Sequence, residues 1–169
     1  REKAGNIMAP ACISCTEPAV FAFLKAGQTI WIDDGRTGCL IEQIDDEGAL
    51  LRITHVRPNG EDIGAQKGLN FPDSQLKLPA LTEKDYRDLD FAVLHADIIG
   101  LSFIQHAEDL DLLHTALAKR KAGKLGVIAK IETREAVKNL PEIIIRGAGH
   151  GPFGIMIARG DLAVEIGYE

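Results

Sequence analysis

Aromatic residues are scarce in this chain, at 5% of 169 positions, and cysteines number only three. A low, odd cysteine count excludes a disulfide framework and points to a reducing, cytoplasmic setting. No apolar run approaches the roughly 18 residues that would cross a membrane. Basic runs are absent too: 19 Lys and Arg face 25 Asp and Glu, for a net charge of −6. That balance argues against nucleic acid and anionic membrane as partners. The polar opening, Arg1 to Gly5, is followed by no secretory core, and Arg1 in place of an initiator methionine points to a processed product or an excised piece. No repeat of fixed period and no low-complexity segment occurs. What is present is ordinary for a globular protein: 46% apolar and 26% charged residues. The length suits about one domain, or two small ones, and suffices to bury a core.

The pattern changes near Pro72. Before it, short β-type runs alternate with turns. Thr29 to Ile32 ends at Asp33-Asp34-Gly35, Gly38 to Ile44 ends at Asp45 to Gly48, and Leu50 to Val56 ends at Pro58-Asn59-Gly60. This spacing predicts a small antiparallel barrel or sandwich over residues 1–70. After Pro72, helices and apolar strands alternate through residues 71–169. Thr82 to Asp85 reads as a capped helix start, with Tyr86, Leu89 and Val93 at helical spacing. Leu110, Leu113 and Leu117 mark a second helix, expected to stop at Gly123. Pro141 divides the stretch from Arg134 to Gly147 into two short helices or a kinked one. Three apolar runs, Asp97 to Ile104, Leu125 to Ile131 and Phe153 to Ala158, predict a parallel sheet covered on both faces.

Each apolar run ends in polar residues: Ser102, Lys130-Ile131-Glu132 and Arg159-Gly160-Asp161. Ligands of parallel α/β folds sit at the C-terminal strand ends. Lys130 and Glu132, two apart on a strand, point to one face. Two carboxylates from neighbouring strand ends, Glu132 and Asp161, are suitable chemistry for Mg²⁺, which takes one or two carboxylates and leaves positions for water and substrate phosphate. A lysine beside them would face the charge of a transferring phosphoryl group. Spacing alone leaves open a structural salt bridge with no ligand.

Five segments carry a family resemblance. Lys67 to Pro72, Leu78 to Asp85, Asp97 to Ile104, Ile128 to Glu132 and Ile157 to Glu165 resemble pyruvate kinase, in order and at nearly the family spacing. The resemblance implies a β-barrel lid over residues 1–70, followed by about strands four to six of a (β/α)₈ TIM barrel over 71–169. It implies phosphoryl transfer from phosphoenolpyruvate to ADP, giving pyruvate and ATP, with Mg²⁺ and K⁺ as cofactors. By matching position, Lys130 is the catalytic lysine, Glu132 and Asp161 bind Mg²⁺, and backbone N–H groups at Gly160 and Asp161 hold the substrate carboxylate. Ala158 and Arg159 line the same loop, Ser102 and Phe103 the pocket edge, and Asp34 sits on the lid. A full-length homo-oligomer is also implied.

Departures from the family pattern are Gln105 for the usual arginine, the longer connection Gly147 to Phe153, and Gly167 for a frequent proline. The family's potassium ligands and phosphate-binding arginine lie on strands that this chain lacks. A (β/α)₈ barrel takes about 250 residues, so the chain is expected to be a fragment, inactive alone, with unpaired sheet edges. The rival expectations are a Mg²⁺-dependent lyase or aldolase of the phosphoenolpyruvate/pyruvate barrel superfamily, and a noncatalytic homologue. Cys12 and Cys15 have C-x-x-C spacing without a second pair, and the five histidines show no ligand spacing.

Overall fold

The computed structural model describes residues 11–167, so the first ten residues of the expected lid segment lie outside the described residues. A 3₁₀ turn, Pro18–Phe23, precedes three antiparallel strands: β1 (Thr29–Ile32), β2 (Thr37–Asp45) and β3 (Gly48–His55). A two-residue strand, β4 (Leu69–Asn70), completes a sheet ordered β3-β2-β1-β4. The β1–β2 turn runs through Asp33, Asp34 and Gly35, all with positive φ. Aspartate tolerates that region and glycine takes it freely. At the β2–β3 turn the Asp45 carboxylate accepts from the N–H groups of Glu47 and Gly48, closing the hairpin as an Asx turn does. Val20, Ile30, Ile32, Cys39, Ile41 and Phe71 form the core beneath this sheet, and burial pushes the Cys39 thiol pKa up. The expected small barrel is, among the described residues, an open four-stranded sheet.

The second part follows the order helix, strand, helix, strand, two helices, strand, helix. Its elements are α1 (Glu83–His95), β5 (Ile98–Leu101), α2 (Ala107–Lys119), β6 (Gly126–Ile131), α3 (Arg134–Lys138), α4 (Leu140–Ala148), β7 (Phe153–Ile157) and α5 (Arg159–Ile166). The strands are parallel, in the order β5-β6-β7. Thr82 caps α1 through a reciprocal capping box with Asp85, satisfying backbone donors that the first turn leaves free. Pro141 stands in the first turn of α4, so the break between α3 and α4 falls where the sequence puts it. Helix α2 ends earlier than expected: Arg120 is its C-cap and Lys121 takes a positive φ, so Gly123 lies beyond the stop.

The parallel sheet is covered on one face, not two. Val127, Ala129 and Ile131 alternate with less buried neighbours along β6. Together with Leu101 they pack against Leu110, Leu113 and Leu117 of α2 and Ile143 of α4. On the other face Ile98 is 58% exposed and Met156 48%. Three strands do not close around that face. That open face is the one that carries Lys130, whose Cδ would lie 3.8 Å from a Cβ placed on Gly100.

Candidate active site

Lys130 lies near the end of β6 and Glu132 just beyond it, and the structure joins them. The Lys130 Nζ stands 2.6 Å from Glu132 Oε1 and donates to Ser102 Oγ at 2.9 Å. Glu132 is 1% exposed. Its second oxygen, Oε2, accepts from the Phe103 backbone N–H at 2.5 Å. Phe103 has φ +54°, which turns its N–H inward while half of its side chain stays exposed. A buried carboxylate is costly unless paired and hydrogen-bonded. Here both oxygens have charge-assisted or short partners. The lysine is thus held between a hydroxyl and a carboxylate at the ends of β5 and β6.

The second half of the site begins where β7 ends. Ala158 donates its N–H to the carbonyl of Ile131 at 3.1 Å, setting this segment beside the Lys130–Glu132 strand end. Arg159, Gly160 and Asp161 form the first turn of α5, and its first internal bond runs from Leu162 N–H to Ala158 carbonyl. The three N–H groups before it are the free donors of a helix N-terminus, an arrangement suited to an anion. Asp161 Oδ1 accepts from Asn70 Nδ2 at 3.0 Å. The β1–β2 turn lies over the same helix. A Cβ on Gly160 would come within 3.9 Å of Asp34 Cγ, and one on Gly35 within 3.0 Å of Val164 Cγ2. Arg134 Nη2 donates to the Glu165 carbonyl at 2.8 Å and ties α3 to α5. Burial raises the Glu165 pKa, with Arg134 opposing.

The singled-out residues therefore fall into two adjoining groups. Ser102, Phe103, Lys130 and Glu132 are directly bonded; Asp34, Ala158, Arg159, Gly160 and Asp161 gather at the start of α5. No hydrogen bond or ion pair among the described residues joins Asp161 to Lys130 or Glu132, and no three metal-ligating side chains of the described residues form a cluster. A hard divalent cation takes one or two carboxylates and fills its other positions with water and substrate oxygens; Glu132, whose two oxygens have protein partners, and Asp161 are the carboxylates these strand ends offer. The buried Asn70 Oδ1, which has no partner among the described residues, adds an unsatisfied acceptor beside Asp161. Asn70 is the residue that motif reasoning passed over. A cavity of about 1080 Å³ opens nearby, lined by Ser102, Phe103, Arg134 and Glu165 among others. Lys130, Glu132 and Asp161 do not line it, so it is not where these groups converge. Cys12 and Cys15 are both free. His114 and His150, unrelated by spacing, stack with ring centroids 4.2 Å apart.

A parallel sheet alternating with helices, with a lysine, carboxylates and a helix N-terminus at its C-terminal strand ends, defines a protein of the α/β class. Comparison with known families is more specific. The family model described as pyruvate kinase, barrel domain, matches residues 2–169, and the chain belongs to the pyruvate kinase family. It is 38% identical to human pyruvate kinase PKLR over 153 residues, which is 90% of this chain and 25% of that protein. It is 37% identical to pyruvate kinase of Mycoplasma pneumoniae over 146 residues, 86% of this chain and 27% of the relative. With pyruvate kinase of Lactobacillus delbrueckii subsp. bulgaricus it shares 34% identity over 165 residues, 97% and 26% of the two. The chain thus spans about a quarter of the length of these relatives.

Proposed function

We propose that this chain supplies part of the catalytic centre of an enzyme that transfers the phosphoryl group of phosphoenolpyruvate to ADP, giving pyruvate and ATP. The observation that carries the reading is Lys130, held between Ser102 Oγ and Glu132 Oε1 at the end of a parallel strand. Residues 71–169 are about three strands of a (β/α)₈ barrel, and residues 1–70 are its β-rich lid. The half-exposed sheet face around Ile98 and Met156 is then the interior that further strands complete.

Phosphoryl transfer asks a protein chiefly for positioning and electrostatic stabilisation. The P–O bond to the enolate oxygen breaks as a P–O bond to the ADP β-phosphate forms, and the enolate is then protonated to pyruvate. Lys130 presents its ammonium to the charge spread over the transferring group. Ser102 and Glu132 fix the direction in which the ammonium points. The free N–H groups of Gly160 and Asp161 hold the substrate carboxylate, with Ala158 and Arg159 shaping the turn and Phe103 at the pocket edge. Glu132 and Asp161 are the carboxylates that would hold Mg²⁺, which would supply positive charge against the negative charge of the substrate. Asp34 sits on the lid turn against Gly160, where the lid excludes water and strengthens every charge interaction inside. Potassium ligands lie on strands outside this chain, and the complete enzyme works in the cytoplasm as a homo-oligomer.

The test is Mg²⁺-dependent formation of ATP and pyruvate by the full-length protein, with Lys130→Met beside it. Release of pyruvate without ATP, or with cleavage of a C–C bond, overturns the reading.

A further inference from the structure

The aspartates at the third position of α1, α2 and α5 are used in different ways. Asp85 and Asp109 fold back on their own helices: each carboxylate accepts the N-cap backbone N–H, that of Thr82 at 2.7 Å and that of His106 at 2.9 Å. These are ordinary capping contacts. Asp161 holds the equivalent place in α5 but does not fold back. The N-cap there is Ala158, whose N–H is already given to the Ile131 carbonyl. Asp161 reaches instead to Asn70 on β4, 91 residues earlier in the chain, and accepts its Nδ2–H at 3.0 Å.

Asn70 is an expensive choice for that position. It is 4% exposed and lies between Leu69 and Phe71, which pack with the apolar core of the antiparallel sheet. Burying an amide in such surroundings is unfavourable unless its polar atoms are met. Its Nδ2 is met by Asp161, but its Oδ1 is buried with no partner among the described residues. An amide retained only to hold the fold would be satisfied at both ends, or replaced by an apolar residue of the same shape at little cost. The pairing of β4 with β1, Trp31 opposite Asn70, fixes the backbone from which the amide reaches.

We propose that Asn70 is a positioning residue for Asp161: it holds one carboxylate oxygen and leaves the other free for a hard divalent cation. This rests on the reading of Asp161 as a cation ligand. It adds that the ligand's orientation is set from the antiparallel sheet, across the seam between β4 and α5, and not from within helix α5, which carries it. Groups that orient a metal ligand typically matter by 10- to 100-fold in metal affinity.

The experiment measures Mn²⁺ binding to the full-length protein by electron paramagnetic resonance, with no substrate or nucleotide present. Asn70→Leu keeps the shape of the side chain and removes the donor. Phe71→Leu loosens the same core without touching Asp161. The expected result is Mn²⁺ binding at least about tenfold weaker in Asn70→Leu and unchanged within about twofold in Phe71→Leu. In an Asp161→Asn background, Asn70→Leu should have no further effect, because its action runs through that carboxylate. Equal weakening by the two core variants, or an unchanged affinity in Asn70→Leu, overturns the assignment while leaving the proposed function standing. Should Asn70→Leu not fold, Asn70→Ser, which cannot span the distance to Asp161, is measured against the same expectations. Wild-type protein that binds no Mn²⁺ overturns the proposed function and this inference together.

Discussion

The Lys130 Nζ stands 2.6 Å from Glu132 Oε1, and that carboxylate is 1% exposed. The pair joins the last residue but one of β6 to the first residue beyond it. Ser102 Oγ, at the end of the neighbouring strand, is the second partner of the same ammonium. A lysine so held has one fixed direction in which to present its charge.

Replacing Lys130 by methionine in the full-length protein should lower kcat by several orders of magnitude and change KM for phosphoenolpyruvate comparatively little. An interaction made chiefly in the transition state has that signature. Steady-state kinetics check it. A variant with unchanged kcat removes Lys130 from the mechanism.

The same substitution should also destabilise the protein, because it strands a buried carboxylate. Removing one partner of a buried pair costs about 3–5 kcal/mol. The Lys130 side chain retains 27% exposure, which places the expected cost near the low end, about 3 kcal/mol. Adding Glu132→Leu should restore most of the lost stability and none of the activity. Denaturant midpoints of the two variants separate these effects.

Gly147 lies in α4 over the Phe153 ring, where an added Cβ would come within 2.4 Å of ring atoms. Gly147→Ala gains about 1 kcal/mol of helix propensity. Overpacking costs about 1–3 kcal/mol, and three ring atoms meet the new carbon together. The clash outweighs the propensity, so the variant should melt at a lower temperature than wild type. A higher melting temperature would contradict the packing of α4 on β7.

His114 carries a pH dependence. Burial first, and then the stacked His150, hold its pKa below the ordinary 6.5, with Asp111 opposing. The unfolded chain therefore takes up this proton before the folded one does. The stability is fully present above about pH 6.5 and is lost as the pH falls from there through the folded-state pKa. His114→Phe should flatten the decline of melting temperature between about pH 6.5 and 5.5. An unchanged slope would place the acid sensitivity elsewhere.

Much of this was legible in the sequence, for physical reasons that differ between elements. The capped start of α1, the division at Pro141 and the three parallel strands rest on local signals: a reciprocal cap, a missing N–H and unbroken apolar runs. Lys130 and Glu132 were legible as neighbours because a strand repeats every two residues. The continuous apolar runs also misled. They predicted a sheet buried on both faces, whereas Ile98 and Met156 are about half exposed. The stop of α2 was misplaced because Lys121, not a glycine, takes the positive φ. Strand β4 is two residues long, too short for any periodic signal. The Asn70–Asp161 bond, across 91 positions, exists only once two sheets are set against each other. The inward N–H of Phe103 was hidden for a related reason, since it depends on one unusual backbone angle.

The central claim is that Lys130, Glu132 and Asp161 belong to a phosphoryl-transfer site that this chain holds in part. Its most direct test is Mg²⁺-dependent ATP formation from phosphoenolpyruvate and ADP, measured side by side for the full-length protein and for this 169-residue chain. Activity in the full-length protein and none in the chain alone is the predicted result. Inactivity of both would contradict the claim, and turnover by the chain alone would contradict its division of the site.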